Sequence, residues 1–188
     1  MNYKDKILTF EASKIYYNDA NASIEMEVMM DWEDAVMKKS ANYVCENGGD
    51  ILEIGFGMGI AANYIQANSI TSHTIVENHP QIIEKAKAWA DGKSNVTIVE
   101  GDWYDIKESL STYDGIFYDT FGDDNMDKFK DSLASLTKSG SKVTWWNSVN
   151  SENNYYSIDN VIYEAITVNP PSNCYFNYTT YYLPKKEF

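Results

Sequence analysis

The chain has 188 residues, which suits one ordinary domain and is too short for two. Its formal net charge of −13, without any long run of Lys or Arg, argues against nucleic acid as a partner. No apolar run approaches the roughly 20 residues of a membrane span, the first residues lack the apolar core of a signal peptide, and Cys45 and Cys174 form no Cys-x-x-Cys pair. These features predict a cytoplasmic protein without membrane contact.

The chain opens with a polar, aromatic segment, residues 1–26, that shows no clear period. We expect it to form an N-terminal arm that folds over the site as a lid. From Glu27 to Glu46 apolar residues recur at helical spacing, and Asn47-Gly48-Gly49 would end that helix. Residues 27–188 are then expected to form a single domain.

Short apolar stretches alternate with helical patterns through the middle of the chain. The predicted strands are 50–54, 73–77, 95–99, 114–118 and 142–146, and the predicted helices are 59–67, 80–90 and 125–137. This alternation indicates βαβ units and a mainly parallel sheet. Two further β-rich runs, 160–168 and 175–183, follow without a helix between them and predict an antiparallel hairpin. The expected fold class is α/β, a Rossmann-like, seven-stranded sheet with a C-terminal antiparallel hairpin.

A glycine-rich turn follows the first strand of that sheet, in Leu52-Glu53-Ile54-Gly55-Phe56-Gly57-Met58-Gly59. Glycines at alternate positions permit positive φ and let a ligand lie against the backbone. The dinucleotide fingerprint does not fit, because Ile60 stands where its third glycine belongs. The acid-x-Gly-x-Gly-x-Gly turn of methyltransferases fits better. Taken alone, the turn is equally compatible with a tight strand–helix connection.

Acidic residues follow two later strands. Glu77 ends the second strand, about 20 residues beyond the glycines, where nucleotide-binding βαβ units place a carboxylate that accepts from ribose hydroxyls. A solvated strand-end carboxylate is the alternative. After the third strand, Asp102 could accept from an adenine amine and Trp103 could flank the ring, although core packing suits Trp103 equally.

The fourth strand ends in Tyr118-Asp119-Thr120-Phe121. Open α/β sheets bind ligands at the carboxyl ends of their strands. Asp119 is therefore the best candidate for a general base, and Tyr118 is placed with the cofactor-binding residues. The alternative for Asp119 is a cap of the following turn.

These motifs occur in order behind Val28-Met-Met-Asp-Trp-Glu33, and together they resemble guanidinoacetate N-methyltransferase and relatives that methylate the arginine guanidino group. The resemblance covers most of the chain from about Val28, although the stretch from 147 to about 160 is shorter than in mammalian-type members. It implies a class I methyltransferase with S-adenosylmethionine as cofactor and S-adenosylhomocysteine as product. It also implies a small guanidino compound, similar to guanidinoacetate, as the acceptor.

The resemblance also implies residue roles. Glu33 and Asp119 match two carboxylates that hold the guanidinium group, and Asp119 would take the proton of the attacking nitrogen. The implied cofactor-binding residues are Met37, Gly55, Gly57, Glu77, Asp102 and Trp103. Glu53, Met58 and Tyr118, which belong to the same motifs, are further candidates for cofactor binding. No metal is implied.

Guanidinium chemistry is consistent with two paired acids. The ion has a pKa above about 12 and delocalised lone pairs, so it is a poor nucleophile. Two carboxylates can hold it by bidentate hydrogen bonds and orient one nitrogen at the methyl group. A methyltransferase with another small acceptor and a catalytically idle cofactor-binding scaffold remain alternatives. The tyrosines near the C-terminus suit sheet packing or a homodimer surface.

Overall fold

The computed structural model describes residues 3–19 and 24–188. Two sheets stand out in this part of the chain, a three-stranded N-terminal sheet and a seven-stranded sheet. The strands are β1 (Thr9–Phe10), β2 (Lys14–Asp19), β3 (Ile24–Met30), β4 (Asp50–Ile54), β5 (Ser72–Glu77), β6 (Val96–Glu100), β7 (Tyr113–Tyr118), β8 (Thr137–Trp145), β9 (Ile162–Thr167) and β10 (Thr180–Glu187). The α-helices are α1 (Asp34–Val44), α2 (Ile60–Gln66), α3 (Pro80–Ala90), α4 (Trp103–Ile106) and α5 (Phe129–Leu136).

The seven-stranded sheet has the order β6-β5-β4-β7-β8-β10-β9. Strands β4 to β8 pair in parallel, and β10 pairs antiparallel with both β8 and β9. The chain runs outward from β4 to β6 and then returns to the other side of β4 to form β7. This reversal creates a crevice at the carboxyl ends of β4 and β7, where such sheets bind ligands. The predicted fold class, a mainly parallel Rossmann-like sheet with a C-terminal hairpin, is confirmed.

The N-terminal segment differs from the sequence-based expectation. The antiparallel sheet β1-β2-β3 forms largely within the predicted N-terminal arm, where the sequence showed no clear period. The helix predicted from Glu27 begins only at Asp34, after a short 3₁₀ turn. Apolar residues at alternate positions from Ile24 to Met30 explain the strand, because a period of two places them on one face of a sheet. β3 therefore crosses the boundary that the sequence placed at residue 26.

The C-terminal hairpin has the predicted strand order, but its second strand begins further along the chain than predicted, at Thr180. Its register runs from Thr180 opposite Thr167 to Lys185 opposite Ile162. The second strand was predicted from residue 175, so Tyr175 lies instead in the connection between β9 and β10. That shift brings the tyrosine to the ligand crevice.

The hydrophobic core covers both faces of the large sheet. Ile51 of β4 and Phe117 of β7 pack on the side of α1 and α2. Their chain neighbours Leu52 and Tyr118 pack on the opposite side, against α5. This alternation of strand residues decides which side chains can reach the crevice. Within residues 3–19 and 24–188, no helix is long and apolar enough to cross a membrane.

Candidate active site

A cavity of about 540 Å³ lies at the carboxyl ends of β4, β5 and β7. The glycine turn after β4 forms one part of its wall, and residues 25–29 of β3 form another. The segment from Asn173 to Tyr175, between β9 and β10, also lines it. The cavity thus lies at the strand-order reversal, and the N-terminal sheet contributes to it directly.

The glycine turn brings separate segments close together. Gly55 has φ +93° and Gly57 has φ +53°, in the left-handed region that favours glycine. A Cβ on Gly55 would lie 1.8 Å from the carbonyl oxygen of Asp119, and one on Gly57 would lie 2.4 Å from Sδ of Met29. Glycine is therefore required at Gly55, where backbone would have to move, whereas at Gly57 the positive φ favours glycine and only the flexible Met29 side chain would have to move.

Glu77, at the end of β5, is buried and held by main-chain amides. Its Oε1 accepts from the N–H groups of Asn78 and His79, each at 2.8 Å, and its Oε2 accepts from the N–H of Phe56 at 2.9 Å. Burial raises the pKa of Glu77, and these backbone hydrogen bonds oppose the rise. A fixed carboxylate keeps acceptor capacity for the paired hydroxyls of a ribose.

Glu53, in β4, is a second buried acid among the residues that line the cavity. Its Oε2 lies 2.8 Å from Nε2 of His73, whereas its Oε1 has no hydrogen-bond partner in the described chain. A buried carboxylate oxygen without a donor is costly unless a ligand supplies one. The free Oε1, the glycine turn and Glu77 together fit S-adenosylmethionine, an elongated ligand that carries donors at its ribose and amino-acid ends.

Two further carboxyls, those of Glu33 and Asp119, also line the cavity. Burial raises the pKa of Glu33, and the charge of Asp119 raises it further. Burial also raises the pKa of Asp119, with a contribution from the charge of Glu53. Such carboxyls strongly favour a cationic guest, because a positive charge between them offsets both burial and repulsion.

Tyr175 reaches Glu33 from the β9–β10 connection. Its hydroxyl donates to Oε1 of Glu33, which also accepts from the N–H of Met30 at 2.7 Å. Its ring lies edge-on to Trp146, with centroids 6.2 Å apart, and both side chains line the cavity. The sequence did not single out Tyr175, because nothing distinguishes it from its tyrosine neighbours apart from its place just after the Pro-Pro-Ser-Asn-Cys segment.

Most of the predicted site residues line this one cavity. They are Glu33, Met37, Glu53, Gly55, Gly57, Glu77, Trp103 and Asp119. Glu33 and Met37 come from the 3₁₀ turn and the first turns of α1, and the others come from the carboxyl ends of strands or the loops after them. Their individual roles stay predictions.

Three predicted cofactor residues lie outside the cavity wall. Tyr118 points to the opposite face of β7 and stacks on Phe129, with ring centroids 4.1 Å apart. Asp102 caps α4 by accepting from the N–H of Tyr104 at 3.0 Å. Met58 borders a smaller, separate cavity beside α3. The observed positions of these three side chains serve packing and capping, and the cofactor contacts expected of them stay predictions.

The sheet order, the glycine turn and the acid at the end of β5 define a class, the Rossmann-like, S-adenosylmethionine-dependent methyltransferases. Solved structures agree on the fold. Precorrin-6y C5,15-methyltransferase from Geobacter metallireducens GS-15 is similar with a TM-score of 0.60 and 15% identity, over 82% of this chain and 86% of that one. Spermidine synthase from Thermotoga maritima is similar with a TM-score of 0.64 and 10% identity, over 96% and 71%.

Within that class, residues 4–144 match the family described as guanidinoacetate N-methyltransferase, and the chain belongs to this family. Protein arginine N-methyltransferase 2 of Aspergillus oryzae is 34% identical over 160 residues, which are 80% of this chain and 37% of the relative. The Saccharomyces cerevisiae protein of the same name is 32% identical over 188 residues, 91% of this chain and 45% of the relative. The chain therefore spans less than half the length of these two relatives.

Proposed function

We propose that this chain transfers a methyl group from S-adenosylmethionine to a guanidino nitrogen. The observation that carries the proposal is the pair Glu33 and Asp119, two enclosed carboxyls on one cavity that also holds the glycine turn. A planar guanidinium ion presents N–H donors in a fork that matches carboxylates. The bound cofactor supplies a methyl group on a positively charged sulfur.

Glu33 and Asp119 would have different roles, one in holding the guanidinium group and one in accepting its proton. Glu33 is fixed by the Tyr175 hydroxyl and the Met30 amide, so it suits a clamp that accepts guanidinium N–H groups. The raised pKa of Asp119 makes it a better proton acceptor at neutral pH than an ordinary aspartate. Asp119 would take the proton from the attacking nitrogen as that nitrogen gains its fourth bond.

Tyr175→Phe tests the clamp. The Tyr175 hydroxyl lowers the pKa of Glu33, so its removal should raise that pKa further. Because the clamp needs an ionised Glu33, we expect KM for the acceptor to rise about tenfold at pH 7 and the rising limb of the kcat/KM profile to move to higher pH. Tyr178→Phe, at an exposed neighbour, is the matched control. An unchanged pH profile in Tyr175→Phe would remove the hydroxyl from the clamp.

The charge of the cavity bears on what carries the guanidino group. Glu25 and Glu27 of β3 add two acids to the wall, and of the residues that the structure describes no Lys, Arg or His lines it. The β8–β9 connection, residues 146–161, has no Lys or Arg, and the whole chain lacks arginine. The carboxylate of guanidinoacetate would thus meet acids without a cationic side chain to pair with it.

We therefore propose that the acceptor is an arginine side chain of a polypeptide, whose guanidino group carries no carboxylate close by. The name protein arginine N-methyltransferase 2 of the relatives favours the same acceptor. The small, guanidinoacetate-like acceptor expected from the sequence stays the second candidate. It is supported by the name of the family itself.

Methyl transfer from labelled S-adenosylmethionine to a capped Gly-Arg-Gly peptide and to guanidinoacetate separates the candidates. We expect kcat/KM for the peptide to exceed that for guanidinoacetate at least about tenfold, the effect of one unpaired carboxylate in an acidic cavity. Gly-Lys-Gly, which has no guanidino group, is the matched control and should receive no labelled methyl group. Preference for guanidinoacetate would reverse the choice of acceptor. Binding of S-adenosylhomocysteine without transfer to any guanidino compound would refute the function and favour the scaffold.

A further inference from the structure

His73 is buried behind the cavity and takes no part in the transfer described above. It lies in β5 with a side chain that is 0% exposed. One ring nitrogen, Nε2, lies 2.8 Å from Oε2 of Glu53, and the other, Nδ1, lies 3.3 Å from Nε2 of Gln66. The ring therefore joins the end of α2 to a carboxylate of the cavity wall.

These contacts set the hydrogen-bond roles of the two ring nitrogens. The side-chain NH₂ of Gln66 can only donate, so Nδ1 of His73 must accept. The ring proton then sits on Nε2 and is donated to Glu53. The hydrogen bond from the ring therefore orients the Glu53 carboxylate.

The bond to His73 decides what Glu53 can offer a ligand. With Oε2 held, the carboxylate cannot turn, and Oε1 is buried without a partner on a residue that lines the cavity. β4 lies between β5, which ends at Glu77, and β7, which is followed by Asp119. Glu53 is therefore placed between the acid suited to a ribose and the acid suited to the acceptor.

A cationic N–H group is the donor that best compensates a buried carboxylate oxygen. The ribose hydroxyls and adenine amine of the cofactor are neutral, and its sulfonium has no N–H. The primary ammonium of its amino-acid part is the remaining donor, and it carries the required charge.

We propose that His73 is a positioning residue that holds Glu53 so that Oε1 binds the primary ammonium of the cofactor's amino-acid part. The proposal rests on the cofactor of the class and is independent of the methyl acceptor. It concerns ligand binding, so it can be measured without any turnover.

Two ligands that differ in that ammonium test the proposal by calorimetric titration. S-adenosylhomocysteine has it, whereas 5′-methylthioadenosine lacks the whole amino-acid part. We expect His73→Leu to raise the Kd for S-adenosylhomocysteine at least about tenfold, as for the loss of a charge-assisted hydrogen bond. The Kd for 5′-methylthioadenosine should stay within about twofold of the wild-type value. Glu53→Gln should give the same selective loss. His73→Gln, which keeps an N–H donor near the position of Nε2, should recover most of the affinity.

If His73→Leu lost affinity equally for both ligands, His73 would only support packing. If it lost affinity for neither, Glu53 would need no partner to bind the ligand. Either result overturns the proposal. If His73→Leu does not fold, Gln66→Leu carries the same test from a partly exposed position, with an expected selective loss of affinity of about threefold. Failure of the guanidino transfer would leave these titrations unaffected, so the two proposals fail separately.

Discussion

Asp119→Asn should lower kcat for guanidino methylation by about 10³-fold, in the range for loss of a positioned general base. The amide keeps the size of the side chain but cannot take the proton or balance the guanidinium charge. The Kd for S-adenosylhomocysteine should stay within about threefold, because Glu53, Glu77 and the glycine turn remain. Initial rates and calorimetric titration measure both. A variant that retains a tenth of the activity would exclude Asp119 as the base.

The same substitution should stabilise the ligand-free protein at pH 8. The folded-state pKa of Asp119 is raised by burial, so the folded protein binds more protons than the unfolded chain between the two pKa values. Its stability therefore falls as pH rises through that window, and Asn removes this loss. We expect the Tm of Asp119→Asn to exceed that of the wild type by about 5 °C at pH 8, with little difference at pH 4. Asp159→Asn, at an exposed carboxylate, should change Tm at neither pH.

The central sheet could be predicted because its signals are local. Each strand from β4 to β7 is a short apolar run followed by its own turn, and the alternation with helical patterns indicates parallel pairing. The N-terminal sheet was missed because two periods overlap there. Val28 continues the alternation that begins at Ile24 and also fits the helical spacing that continues into α1, so the pattern was assigned wholly to a helix.

The site was only partly accessible from the sequence. Gly55 and Glu77 follow from spacing around one βαβ unit, whereas Glu33 and Asp119 are far apart in the chain and were paired by resemblance. Tyr118 and Asp119 are adjacent, and the pleat of β7 decided which of them reaches the cavity. The partners of His73 depend on how α2 packs beside β4 and β5, and no local pattern records that packing.

Gly55→Ala should be the most destabilising small substitution in the site. A Cβ there would lie 1.8 Å from the carbonyl oxygen of Asp119, at φ +93°. Backbone atoms rather than a flexible side chain would have to move, which adds a steric cost to the strain of a left-handed alanine. We expect the free energy of unfolding to fall by about 3–5 kcal/mol, which lowers the Tm by about 10 °C. S-adenosylhomocysteine should no longer bind, because the turn and Asp119 separate.

Gly92→Ala is the matched control, because Gly92 has φ +77° and its Cβ would meet nothing within 4 Å. Only the strain of a left-handed alanine should destabilise this variant, by about 1 kcal/mol or 2–4 °C in Tm. It should bind S-adenosylhomocysteine normally. The difference between the two variants therefore isolates the contact between the glycine turn and the end of β7. Equal, small losses would mean that the turn can shift away from Asp119 without cost. The cofactor turn and the proposed base would then be independent parts of the site, and the close approach at Gly55 would have no functional consequence.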